Sequence, residues 1–190
     1  MESLSTLQLA ALNSFAAGGF EGASMSLIAG AAGIRKPTIY AHFISKEDLF
    51  LSLLPPVMEL EQRYLEDLLS RNQEEADSLL RYLESFAPRM NESPPHLRFL
   101  LRSIYLPPES AKERVSRLGR GHYEKLWGLI NRKLAALQAP AGKIPDLSAA
   151  YLGLMDSVQT CLLYAPAFAD ERLRSLWKLF KPALPERSLP

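Results

Sequence analysis

Leu4, Leu7, Ala11 and Phe15 recur at three- and four-residue intervals between polar positions, which predicts a first helix over about 3–17, closed by Gly18-Gly19. Ser24, a residue type that caps helix N-termini, predicts a second helix reaching Ala32 and stopped by Gly33. Within that helix Leu27, Ile28, Ala31 and Ala32 are expected to point inward, and Ile34 to plug the core between it and the next. Pro37 suits the first turn of a third, short helix that ends near Phe43 and turns Ile39 and Phe43 inward. Ser45, with Asp48 three residues on, predicts a capping-box-like start to a fourth helix.

Beyond residue 50 proline punctuates the pattern. Pro55-Pro56 is expected to kink or interrupt the fourth helix. Further helices are predicted at 57–70, 75–90, 95–105, 109–138, 146–165 and 170–181, with Asp146 and Asp170 as N-caps of the last two and a frayed tail from Pro182. No run of alternating β-branched residues argues for a strand, so the fold class is all-α. The 146–165 helix is apolar on more than one face, through Tyr151, Leu152, Leu154, Met155, Val158, Leu162 and Leu163. It is therefore expected to pack on its own core and on a second surface. The 170–181 helix is amphipathic, with Leu173, Leu176, Trp177 and Phe180 on one face.

Composition removes several function classes. The chain has 190 residues, of which 47% are hydrophobic and 23% charged, enough for an ordinary globular core. No apolar run approaches the roughly 18–20 residues of a membrane span, and the first residues have neither a basic start nor a signal-type stretch, so a cytoplasmic protein without membrane association is expected. Cys161 is the single cysteine, which excludes an intrachain disulfide and reads as a small buried hydrophobe. His42, His96 and His122 have no metal-ligand spacing, and there is no nucleophile elbow, phosphate loop or dinucleotide fingerprint. No metal, cofactor or enzymatic activity is expected.

The net charge of +1 does not by itself announce a polyanion partner. Residues 1–50 hold three bases, Arg35, Lys36 and Lys46, against the acids Glu2, Glu21, Glu47 and Asp48, but all three bases fall within 35–46. A second basic segment, Lys112 to Lys133, reads as a solvated helix face. The stretch Phe20–Phe50 reads as helix, glycine-bearing turn, short helix. The last of these shows Lys36, Thr38, Ala41 and His42 on its outer side. A short helix with small, polar and basic groups at its N-terminal end fits the DNA major groove, where bases and phosphates can both be met.

Ser24, Ile28-Ala29, Ala32-Gly33-Ile34, Lys36, Thr38-Ile39-Tyr40, Phe43, Lys46-Glu47 and Leu49 stand in the register of a known signature. The stretch resembles the DNA-binding segment of the TetR family of transcriptional regulators, over about residues 4–50. The resemblance implies a three-helix DNA-binding head at 1–47 with a helix-turn-helix, and a C-terminal helical bundle at 48–185 for ligand binding and dimerisation. DNA contacts are expected from Ser24, Arg35, Lys36, Pro37, Thr38, Tyr40, His42 and Lys46, with Lys46 as a phosphate clamp. Arg35 and Pro37 depart from the family's usual small residues there, so no operator preference carries over, and the basic arm that often precedes the first helix is missing.

The resemblance further implies a homodimer through the helices at about 146–165 and 170–181. Its two-fold axis would set two recognition helices one DNA turn apart, about 34–36 Å. A palindromic double-stranded operator, repression, and release by a small lipophilic or aromatic effector follow as expectations. Phe99, Tyr123 and Trp127 are the expected pocket-lining residues. The rival reading is a ligand-binding or scaffold protein of the same fold without specific DNA binding.

Overall fold

The computed structural model describes residues 5–71 and 76–185; Leu4, Glu75 and the tail from 186 lie outside the described residues. Among the described residues the regular structure is entirely helical, in the order α1 (Thr6–Gly22), α2 (Met25–Ala31), α3 (Lys36–Tyr40), α4 (Lys46–Arg71), α5 (Asp77–Glu84), α6 (Phe86–Arg89), α7 (His96–Tyr105), α8 (Lys112–Ala136), α9 (Ile144–Tyr164) and α10 (Ala169–Phe180), with single 3-10 turns between and after the later helices. The all-α expectation holds. The chain forms two compact units, residues 1–60 with 89–120 and residues 61–88 with 121–190, and α4 and α8 contribute to both.

The first unit is built on α1. Its start is a full capping box: the Ser5 hydroxyl accepts from the Gln8 amide at 3.3 Å while the Ser5 amide donates to Gln8 Oε1 at 3.0 Å. The predicted stop at Gly18-Gly19 falls at a kink, beyond which a second helical piece runs to Gly22. Only Gly19 departs from helical geometry, with φ +68°. Ala11 and Phe15 are buried, as the helical spacing predicts, and Leu12 and Ala16 are buried beside them. Phe15 is the centre of an aromatic cluster, with ring centroids 6.0 Å from Phe20, 5.2 Å from Phe50 and 6.3 Å from Phe99.

Of the kink or interruption expected at Pro55-Pro56, the interruption does not occur: α4 passes through both prolines. Proline removes an amide donor and crowds the preceding turn. Here Leu53, Leu54, Val57 and Met58 on either side are all buried, so core packing outweighs the lost hydrogen bonds. The start of α4 follows the predicted cap closely. Ser45 Oγ accepts from the Asp48 amide at 3.0 Å, and Asp48 Oδ2 reaches back one residue further than a strict box, to the Ile44 amide at 3.1 Å.

In the second unit α10 packs on α9. Tyr151, fully buried on α9, donates its hydroxyl to Leu79 O at 2.8 Å, and its ring lies 5.9 Å from Phe180. Asp146 and Asp170 sit within the first turns of α9 and α10 instead of at the caps, where their charge still meets the positive helix end. The unit also buries polar groups: Glu61, Ser78, His122, Lys133, Ser148 and Gln159. Tyr82 donates to Glu61 Oε1 at 2.7 Å, and Gln62 Nε2 lies 2.8 Å from His122 Nδ1. Cys161 is buried, its thiol 3.4 Å from Ala165 O. No helix among the described residues is long and apolar enough to cross a membrane.

Candidate nucleic-acid interface

Ser24 sets the register of everything that follows. Its backbone is extended and its hydroxyl accepts from the Leu27 amide at 3.2 Å, so α2 begins at Met25. From that start Met25, Ile28 and Ala29 fall on one face and are buried. Leu27, expected to point inward, lies off that face and is 65% exposed, and Ala31 is exposed as well. The spacing 25, 28, 29, 32 was the signal that separates them.

The end of α2 is a Schellman motif. The Gly33 amide donates to Gly30 O at 3.2 Å and the Ile34 amide to Ala29 O at 3.0 Å, with Gly33 at φ +68°. Ile34 follows as the hydrophobic residue such a motif places back against its helix, half-buried on the core as predicted. A Cβ at Gly33 would meet nothing within 4 Å, so a substitution there is strained by the backbone alone. Gly33→Ala is expected to cost about 1 kcal/mol in urea unfolding. A variant as stable as the wild type would mean the turn relaxes to negative φ.

This turn delivers α3 with Ile39 fully buried as its anchor. The rest of the segment is left outside: Arg35, Lys36, Pro37, Thr38, Tyr40 and His42 are all exposed. The helix is shorter than predicted, ending at Tyr40. Lys36 opens it, ahead of Pro37, and Ala41 and His42 continue as a turn bonded to Pro37 O and Ile39 O. The Lys36 ammonium stands 6.0 Å from the Tyr40 ring centroid, one helical turn away. The structure therefore brings six of the eight predicted contact residues onto one short exposed segment. Ser24 is exposed at the far end of α2, with its hydroxyl already engaged as a cap.

Lys46 is different. Its ammonium donates to Phe20 O at 2.8 Å and to Ala23 O at 3.1 Å, and lies 4.2 Å from the Phe20 ring centroid. Two of its three donors thus tie α4 to the end of α1. Sequence reasoning had no signal for this, because the partners are carbonyls 23 and 26 residues away. The acids near α3 are similarly occupied: Glu47 pairs with Arg114, and Asp48 caps α4. Two exposed apolar side chains, Leu27 and Ile44, were also missed.

The residues expected to line a pocket belong to different compact units. Phe99 belongs to the first unit, where it is 1% exposed and its ring lies 5.6 Å from Phe50. Tyr123 and Trp127 belong to the second unit, one turn apart on α8, with ring centroids 6.2 Å apart. A shallow open groove of about 380 Å³ on α1 and α2, lined by Thr6, Leu9, Ala10, Asn13, Ser14 and Ala31, contains no charged side chain. Among the described residues no three or more His, Cys, Asp or Glu side chains gather as a metal site.

A buried-anchor helix that presents Arg35, Lys36, Thr38, Tyr40 and His42 outward after a Schellman turn defines a helix-turn-helix DNA-binding head. Residues 9–53 match the family model described as bacterial regulatory proteins, tetR family. No curated protein matches the chain by sequence. Among solved structures it is similar to a Saccharomonospora viridis protein in complex with choline (TM-score 0.74, 18% identity, 96% of this chain and 97% of that one). It is also similar to FadR from Bacillus subtilis in complex with stearoyl-CoA (TM-score 0.61, 19% identity, 90% and 96%). A third is the TetR-family transcriptional regulator PfmR from Thermus thermophilus (TM-score 0.57, 22% identity, 98% and 100%). At these identities the likeness is one of fold. Residues 9–53 thus belong to the tetR family of bacterial regulatory proteins, and the chain as a whole has the fold of TetR-family transcriptional regulators.

Proposed function

We propose that the protein is a transcriptional repressor that binds a palindromic operator as a homodimer, through a head at 1–47, and is released when a small molecule binds the body at 48–185. The observation that carries the reading is the surface of α3: Ile39 is enclosed while Arg35, Lys36, Pro37, Thr38, Tyr40 and His42 face solvent, with no acidic side chain among them. In this reading Lys36 and Arg35 meet phosphates or guanine, Tyr40 and Thr38 pack on the backbone or base edges, and Ser24 and Lys46 support phosphate contacts at the margins. It assigns the protein no catalytic role.

Dimerisation through α9 and α10 is favoured by what those helices leave outside. Ala149, Ala150 and Gly153 make an exposed small-residue strip on α9, and Leu179 on α10 is 78% exposed. Tyr123 and Trp127 are the ligand-facing residues of the second unit in this reading. Two of the structural neighbours were solved with choline and with stearoyl-CoA, ligands with a quaternary-ammonium or an apolar part, which suits aromatic lining side chains.

The test is fluorescence anisotropy on the DNA upstream of the protein's own gene and on selected operators, with competitor DNA and varied salt. Lys36→Ala is expected to weaken binding to every sequence and to lower the log–log salt slope by about 1. Tyr40→Ala is expected to weaken the specific complex about tenfold or more, with a smaller effect on random DNA. A wild-type protein that prefers no operator, with both variants unchanged, would overturn the repressor and leave a ligand binder of the same fold.

A further inference from the structure

We infer that Arg102 is a positioning residue for DNA recognition: it holds α1, and with it the reading helix, at a fixed setting on α7. The inference rests on the DNA-binding reading above. Gly19, at φ +68° inside α1, breaks the regular amide ladder, so the carbonyls just before it need other donors. Arg102 supplies them. Its Nη1 donates to Ala17 O at 3.1 Å and to Ala16 O at 3.4 Å, across 85 and 86 residues of sequence. Its Nη2 lies 3.4 Å from the place a Cβ on Gly19 would occupy, an ordinary contact distance, and it is the positive φ that favours glycine here.

Two carbonyls taken by one planar cation fix direction as well as distance, which a single apolar contact does not. Beyond Gly19 the same strategy recurs, since Lys46 takes Phe20 O and Ala23 O. The end of α1 is therefore held by cations from α7 and α4, within one compact unit. Its centre is the buried core of Ala11, Leu12, Phe15 and Ala16, which does not depend on the guanidinium. Removing Arg102 thus leaves the helix folded, with Lys46 still on its last carbonyls, but loosens the turn before Gly19, from whose far side α2 and α3 follow. Arg102 itself points at α1 backbone, not at the exposed face of α3, so it acts on DNA through α1.

The experiment measures operator affinity against half-site spacing, for wild type, Arg102→Ala and Arg102→Lys, alongside thermal unfolding. Each added base pair moves one half-site along and around the helix, so rigid heads give a sharp optimum. For the wild type a change of one or two base pairs is expected to cost about tenfold or more. Arg102→Ala is expected to flatten that profile to a spread of about threefold, with the salt slope unchanged because no phosphate contact is lost. Arg102→Lys, which keeps a cationic donor but not the planar guanidinium, is expected to fall between. An Arg102→Ala profile as sharp as wild type, merely shifted to weaker binding with a lower unfolding temperature, would show an ordinary structural contact and overturn the positioning role. A sharp profile for all three with a reduced salt slope would make Arg102 a phosphate contact and overturn it equally. No operator preference in the wild type would remove the DNA-binding reading and the positioning role with it.

Discussion

Phe15→Ala is expected to destabilise the protein by about 3–5 kcal/mol in urea unfolding, the largest loss of any single substitution considered for the head. Phe15 is 1% exposed, and its ring meets Phe20, Phe50 and Phe99 within 6.3 Å of centroid distance. Those partners come from the last turns of α1, from α4 and from α7, so one ring joins three helices. Its removal forfeits the transfer free energy and leaves a cavity whose walls are themselves large rings. Such walls collapse poorly, which puts the cost toward the upper part of the range. Each aromatic pair adds about 0.5–1.5 kcal/mol beyond the area term. Phe15→Leu keeps most of the volume and is expected to cost much less, about 1–1.5 kcal/mol. Operator affinity at 25 °C should fall more for the alanine variant, since α2 and α3 are built on this core. A loss below about 1 kcal/mol for Phe15→Ala would mean that the neighbouring rings close over the gap.

Where local chemistry decides geometry, the sequence was readable residue by residue. Ser24, Gly33 and Ile34 each carry one backbone requirement: an N-cap acceptor, a positive φ and a hydrophobic follower. The structure meets all three at the expected positions. Ser45 and Asp48 behave likewise at α4. Reading failed where tertiary packing overrode a local preference. Pro55 and Pro56 were expected to kink or interrupt the helix, but with four buried neighbours it is not interrupted. Leu27 ought to be inside by composition, but the register set by Ser24 turns it out. The long-range cation–carbonyl ties of Lys46 and Arg102 left no trace in spacing, because a backbone carbonyl carries no residue identity. For the same reason the exposed residues of α3 were legible as a segment, while the carbonyl partners of Lys46, read from the sequence as a phosphate clamp, were not.

The second large effect concerns pH. Burial holds the His122 imidazole at a pKa of about 4, below its ordinary value of 6.5, against a smaller upward pull from Glu61 and with a further downward push from Lys125. Its ring is enclosed and its Nδ1 is 2.8 Å from Gln62 Nε2, a contact suited to a neutral ring accepting from the amide. The folded state therefore resists a proton that the unfolded chain takes up near pH 6.5. Between the two values the unfolded state binds more protons, so stability rises with pH. The contribution is complete above pH 6.5 and is lost as pH falls toward 4. A shift of roughly 2.5 units at 1.36 kcal/mol per unit makes that loss about 3 kcal/mol. Carboxylates also take up protons below about pH 5 and bend the absolute curve. The informative quantity is thus the difference in unfolding free energy between wild type and His122→Gln, measured from pH 8 to pH 4. That difference should be flat above pH 7. It should then move against the wild type by up to about 1.4 kcal/mol per pH unit as the pH drops below 6.5. A difference that stays constant across the range would mean the imidazole is as accessible to protons in the folded protein as in the unfolded one. The Tyr82–Glu61 and Gln62–His122 contacts would then have to open together in the native state.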